Sequence, residues 1–238
     1  MDENVIQQVA MDFARKNKSK IAKELTDKGI YQPSESPVSI FMAGSPGAGK
    51  TEYSKFLVAE ILPKITQQQV VRIDGDELRS KFQEYSGSNS YLFQPAISIL
   101  IDRIHDTVLK QKQHFVLDGT LSKYDKALKN IERSLKDGRF IDIFYLYQNP
   151  LVAWDFTKAR EKVEGRNIPK EAFIEEFLGA RTTVERLHTE LSGRVGLFLV
   201  EKDFKKNEVG KATWVKSNQN IDDFVKNRYT EEELRKLL

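Results

Sequence analysis

Gly44-Ser45-Pro46-Gly47-Ala48-Gly49-Lys50-Thr51 constrains this chain more than any other stretch. It fits the phosphate-loop pattern G-x-x-x-x-G-K-[ST] at every fixed position. Its flanks are the ones the pattern needs. Val38 to Ala43 is a short apolar run without helical period, as expected of a strand covered on both faces. After Thr51 the apolar spacing turns helical through Tyr53, Phe56, Leu57 and Ile61, and Pro63 is expected to stop that helix. A chance glycine turn is the competing reading, and both flanks argue against it. In such a loop the backbone N–H groups of Gly44, Ser45, Pro46, Gly47, Ala48 and Gly49 (proline excepted) surround a phosphate at a helix N-terminus. Lys50 would reach the β- and γ-phosphates of ATP or GTP, and Thr51 would offer its hydroxyl to Mg²⁺.

The remainder of the chain alternates in the same manner. Helical spacing is expected over residues 3–28, 94–112, 123–136, 150–163 and 170–191. Strands are expected at Gln69–Ile73, Phe115–Leu117, Ile141–Tyr147 and Gly196–Val200. This alternation specifies an α/β, three-layer P-loop kinase fold: a mainly parallel five-stranded sheet with helices on both faces. One domain of 238 residues is expected, with an N-terminal helix and connector over 1–37, a core over 38–200 and an extension over 201–238. That extension is charged, with a short strand expected near Ala212–Val215 and one or two helices after it.

Composition narrows the function classes. There is no cysteine, which excludes disulfides, thiolate metal sites and cysteine nucleophiles. A net charge of +3 is too small to argue for nucleic acid, so none is expected as a partner. The basic run Arg15, Lys16, Lys18, Lys20 and Lys23 reads as a solvated helix face. Neither a signal-peptide core nor a membrane-length apolar run is present, so a cytoplasmic protein is expected.

In open parallel sheets ligands bind beyond the carboxyl ends of the strands. The phosphate loop, Asp74 to Asp76 and Asp118 to Thr120 all follow strands directly and are expected to line one cleft. Asp76 is the candidate general base for a hydroxyl acceptor. Asp74, nearer the strand, is read instead as a helix cap or as holding a water near Mg²⁺. Asp118 closes an apolar strand as an acid that serves Mg²⁺ or a substrate hydroxyl would, and Thr120 adds a hydroxyl to the same loop. Arg160 and Arg166 flank Gly165, where a mobile segment would supply cations to a transferring phosphoryl group. The bland alternative pairs them with Glu161 or Glu164. Asp102, a lone acid on a helix, earns no weight from spacing. His105, His114 and His188 lack metal-ligand spacing and are read as packing or surface residues.

These pieces together resemble the zeta toxin family, kinase toxins of toxin–antitoxin systems, including the PezT-like branch. The resemblance rests on Gly44–Thr51, on Ile73-Asp74-Gly75-Asp76-Glu77-Leu78-Arg79, on Val116-Leu117-Asp118-Gly119-Thr120 and on Arg160 with Arg166, in the family's order over about residues 35 to 200. It implies transfer of the γ-phosphate of ATP or GTP to a hydroxyl of UDP-N-acetylglucosamine or a related UDP-sugar, blocking cell-wall synthesis, with a protein antitoxin as partner. Asp76 would be the base, and Lys50, Arg160 and Arg166 the phosphate-stabilising cations. Asp102 becomes a substrate-binding candidate, beside Asp76, Asp118 and Thr120. The chain departs from the family where Asp118 and Asp102 replace glutamates and where Ser122 stands in place of an arginine. Another small-molecule or polynucleotide kinase, or a non-catalytic nucleotide-binding module, is the alternative.

Overall fold

A computed structural model describes residues 2–201 and 211–238. It contains a sheet of order β2-β3-β1-β4-β5-β6. The strands are β1 (Val38–Ala43), β2 (Val71–Asp74), β3 (Phe115–Asp118), β4 (Phe140–Tyr147), β5 (Gly196–Glu201) and β6 (Lys211–Trp214). The first five are parallel, while β6 runs antiparallel to β5 at the edge. The sheet therefore has six strands where five were expected. The sixth is the short strand anticipated near Ala212. Its burial pattern lacks a fully covered residue, so no apolar run announced that it would join the sheet. Residues 202–210 of the expected extension lie outside the described residues.

The helices are α1 (Glu3–Leu25), α2 (Lys50–Phe56), α3 (Leu62–Thr66), α4 (Gly75–Arg79), α5 (Gln94–Lys110), α6 (Tyr124–Lys136), α7 (Pro150–Glu164), α8 (Lys170–Glu190) and α9 (Glu231–Leu237). Period-two alternation sends strand side chains into two separate cores. Phe41, Ile143, Tyr145 and Leu199 meet Ala10 and Ala14 of α1 and Leu100 and Ile104 of α5. Ile40, Met42, Phe144 and Val200 meet Tyr53 of α2, Leu57 and Leu62. Helices thus cover both faces, as the alternation required.

Pro63 does not stop the second helix. A π turn, Leu57–Ile61, follows α2, and Pro63 sits in the first turn of α3, where its missing N–H breaks no intrahelical bond. The stop comes at Gln67, which adopts a left-handed φ of 56°.

Parallel strands bring their carboxyl ends to one rim. Asp74 and Asp118 stand in register on β2 and β3. The Gly44 amide donates to the Thr120 carbonyl at 3.0 Å, so the loops after β1 and β3 are bonded to each other. At the opposite rim Arg139 is buried, donating to Ser39 Oγ (2.6 Å), Val38 O (3.0 Å) and Gln113 O (2.5 Å). Beyond the sheet, Arg181 of α8 binds Asp222 (2.5 Å) and the Asn227 carbonyl (2.9 Å), and Leu234 of α9 is fully buried beside Phe173, Phe177 and Ala153.

Candidate active site

The phosphate loop leaves β1 through three left-handed glycines, Gly44, Gly47 and Gly49, at φ 136°, 72° and 85°. The first two also lack room. A Cβ on Gly44 would collide with the Leu146 carbonyl, and one on Gly47 with the Ala153 carbonyl and Thr157 hydroxyl. Glycine there lets α7 press against the loop. Lys50 opens α2 and donates from Nζ to the Ser45 carbonyl at 2.7 Å, so its ammonium lies over the loop. Burial lowers its pKa, against the pull of Asp118, Glu176 and Asp76.

Asp74 ends β2 in extended conformation and caps α4 by accepting the Asp76 amide at 2.8 Å. The cap sets the two acids apart. Asp74 is turned toward its own helix and paired with Arg72, whereas Asp76 enters the cleft. There its carboxylate meets three guanidiniums: Arg79 on Oδ1, Arg166 on Oδ2 and Arg160 at 3.5 Å, also on Oδ2. Burial works to raise the Asp76 pKa, but Arg166, Arg79 and Arg160 together hold it below the ordinary carboxylate value. Arg160 also pairs with Glu164 at 2.7 Å, the partner of the bland reading.

Asp118 is tied down rather than open. Its Oδ2 accepts from Ser54 Oγ at 2.6 Å and from Arg72 at 2.7 Å. Arg72 in turn reaches Asp74, Glu77 (2.6 Å) and Ser54 (2.8 Å). Burial, then the neighbouring Asp118, raises the Asp74 pKa, and Arg72 opposes them. Thr120 Oγ1 and Ser122 Oγ lie 3.0 Å apart, on a loop so close to α8 that a Cβ on Gly179 would strike the Ser122 carbonyl. Asp102 is exposed on α5 and takes no part in the ion pairs around Asp76.

Four residues went unread. Arg72 interrupts an apolar strand two residues before Asp74, a signal that was available. Arg79 stands one helical turn after Asp76, the spacing of an ion pair. Ser54 and Glu176 carried no signal; the latter, half-buried on α8, is raised in pKa by burial and opposed by Lys50 and Arg166.

Among the described residues no group of three or more His, Cys, Asp or Glu is arranged to hold a metal. No helix among the described residues is long and apolar enough to cross a membrane. The family model named Zeta toxin matches residues 21–209. The chain belongs to the zeta toxin family. No curated protein sequence matches it significantly. Among solved structures, this zeta toxin family member is similar to one from the PezAT chromosomal toxin–antitoxin system of Streptococcus pneumoniae. The TM-score is 0.65 at 17% identity, over 100% of this chain and 94% of that one. An AvrRxo1-ORF1:-ORF2 structure with ATP gives 0.56 at 16% identity, over 90% and 68%. A chain of the Pnkp1/Rnl/Hen1 RNA repair complex gives 0.51 at 18% identity, over 65% and 47%. At these identities the likeness is one of fold.

Proposed function

We propose that this zeta toxin family member is an ATP- (or GTP-) dependent kinase that phosphorylates a hydroxyl of UDP-N-acetylglucosamine or a related UDP-sugar. In that reading it is the cytoplasmic toxin of a toxin–antitoxin pair, blocks cell-wall precursor synthesis, and is restrained by a protein antitoxin. One observation carries the reading: a carboxylate, Asp76, held among three arginines at a strand end on the same rim as a phosphate loop. A carboxylate so placed suits an acceptor that must be aligned and deprotonated. The family membership supports phosphoryl transfer, and the PezAT and ATP-bound relatives support the toxin role and the donor.

The chain's residues divide the reaction among them. Backbone amides of Gly44 to Gly49 and the Lys50 ammonium hold the donor phosphates. As the acceptor oxygen bonds to the γ-phosphorus, the bridging oxygen leaves with its electron pair on the nucleoside diphosphate, and the acceptor proton passes to Asp76. Lys50, Arg160 and Arg166 offset charge on the transferring oxygens. A low pKa keeps Asp76 ionised and ready at neutral pH. Thr51 and Asp118 would supply the hard oxygens that suit Mg²⁺; the Ser54 and Arg72 contacts of Asp118 both fall on Oδ2. When bound, Mg²⁺ neutralises phosphate oxygens. Thr120, Asp118 and Asp102 are assigned to the sugar nucleotide, with Asp102 requiring substrate to draw it in.

The test is incubation with Mg-ATP and a panel of UDP-sugars, with an RNA 5′ end as a further arm, read by mass spectrometry. A phosphorylated sugar nucleotide is expected; a protein that binds ATP and phosphorylates none of the sugars overturns the reading.

A further inference from the structure

The three arginines on Asp76 differ in where they come from and how firmly they are held. Arg79 shares α4 with the carboxylate, is only 5% exposed, and uses its second guanidinium nitrogen to grip Gln94 Oε1 of α5 at 3.0 Å. Arg160 lies near the end of α7 with a side chain 42% exposed, and Arg166 lies past the left-handed Gly165 with one 20% exposed. The carboxylate oxygens are divided accordingly. Oδ1 belongs to Arg79, and Oδ2 to Arg160 and Arg166 together.

We propose that Arg79 is the positioning residue of the base: it keeps Asp76 Oδ1 fixed from within the fold while Arg160 and Arg166 leave Oδ2 for the donor phosphate, freeing that oxygen to take the acceptor proton. This rests on the reading of Asp76 as the base. Nucleotide binding would then arm the base, because the cations that stabilise the phosphoryl group are the ones that mask Oδ2. Arg79 cannot be recruited in the same way, since its other hand is on Gln94 and its Nε is buried. The charged groups facing Asp76 are Arg79 on α4, Asp74 on β2, Lys50 on α2, Arg160 on α7 and Arg166 beyond it. Of these, Arg79 is the cation left on the carboxylate itself once the phosphates have engaged Lys50, Arg160 and Arg166.

Arg79→Gln and Arg79→Lys test this, with circular dichroism and melting curves as folding controls. In Arg79→Gln, kcat is expected to fall about 100-fold through misplacement of the base, with KM for ATP unchanged. The pH profile carries the decisive readout. Removing a cation raises the Asp76 pKa, so Arg79→Gln should show an acid limb at a pH where the wild type is still flat. Arg79→Lys should restore the flat profile but not kcat, because the charge returns without the fork. A folded Arg79→Gln with an unmoved profile overturns the proposal, as does a rise in KM for ATP with kcat intact. If Arg79→Gln does not fold, Arg79→Lys decides through kcat alone, and wild-type turnover overturns it. An active Asp76→Asn would instead defeat the reading of Asp76, so the two failures are distinguishable.

Discussion

Arginines are drawn into the fold at both rims of the sheet, Arg72 and Arg79 at one and Arg139 at the other, and their charges are met in opposite ways. At the carboxyl rim Arg72 lies between Asp74 and Asp118, and Arg79 grips Asp76. Burial pulls the Arg72 pKa down, and Asp74 and Asp118 more than restore it. At the amino rim Arg139 gives its hydrogen bonds to neutral partners, a hydroxyl and two carbonyls, with the ring of Phe115 5.0 Å below its guanidinium. Burial pushes its pKa down to about 10, with Asp137 the opposing charge. His114 and His105 stand beside it. His114 Nδ1 accepts the Val38 amide at 3.0 Å, and His105 packs on Phe115 with ring centroids 5.0 Å apart. The contrast is instructive. Carboxylates beside cations can exchange partners when phosphates arrive. A cation held by main-chain carbonyls has nowhere else to go and serves as a fixed clamp between β1, β3 and β4.

Asp76→Asn attacks the first rim and should lower kcat by about 1,000-fold, as loss of a general base does, with a smaller loss of stability than at the second rim. Equal loss of stability would erase the distinction between the rims. Arg139→Met attacks the second. It keeps the apolar stem over Phe115 but removes three hydrogen bonds, so it should cost about 3 kcal/mol of unfolding free energy by urea titration. ATP affinity should be unaffected; a parallel loss would mean the clamp also shapes the phosphate loop. The third effect, in pH, is graded. Burial, then Arg133 and Arg139, push the His105 pKa down to about 3 from 6.5, so the native state keeps it neutral. Its contribution is present above 6.5 and lost as pH falls toward 3, at about 1.4 kcal/mol per pH unit. Asp76 also has a lowered pKa, so its contribution is lost only as pH falls through a value below that of a free carboxylate. On acidification the amino rim should therefore weaken before the base is protonated. His105→Gln should flatten the stability slope between pH 6.5 and 3 in urea titrations, and an unchanged slope would assign that slope to other groups.

Much of the carboxyl rim was legible because its chemistry requires particular residues at fixed spacing. Gly44 to Thr51 had to be a loop between a strand and a helix, and the left-handed glycines show why. Asp76 was separable from Asp74 by one argument, that the acid nearer the strand caps the helix. Arg72 was missed because its partner Asp118 lies on the neighbouring strand and is set by register, whereas the spacing of Arg79 from Asp76 was readable. The π turn that carries Pro63 inside a helix depends on how Leu57 and Leu62 bury, which no local pattern encodes. Strand β6 was too short and too exposed to declare its direction. Asp102 runs the other way: resemblance gave it weight, and its exposed position leaves that weight with the substrate.

The full burial of Leu234 carries a consequence for how such a protein can change over generations. The family model's match ends at residue 209, yet the side chain that fills the hollow beside Phe173 and Phe177 comes later. Inheritance of the shared span and inheritance of a sealed molecule are therefore separate matters. A recombination event that exchanged only the shared span would deliver the whole cleft together with an uncovered aromatic patch, so the tail must travel with the α8 it fits.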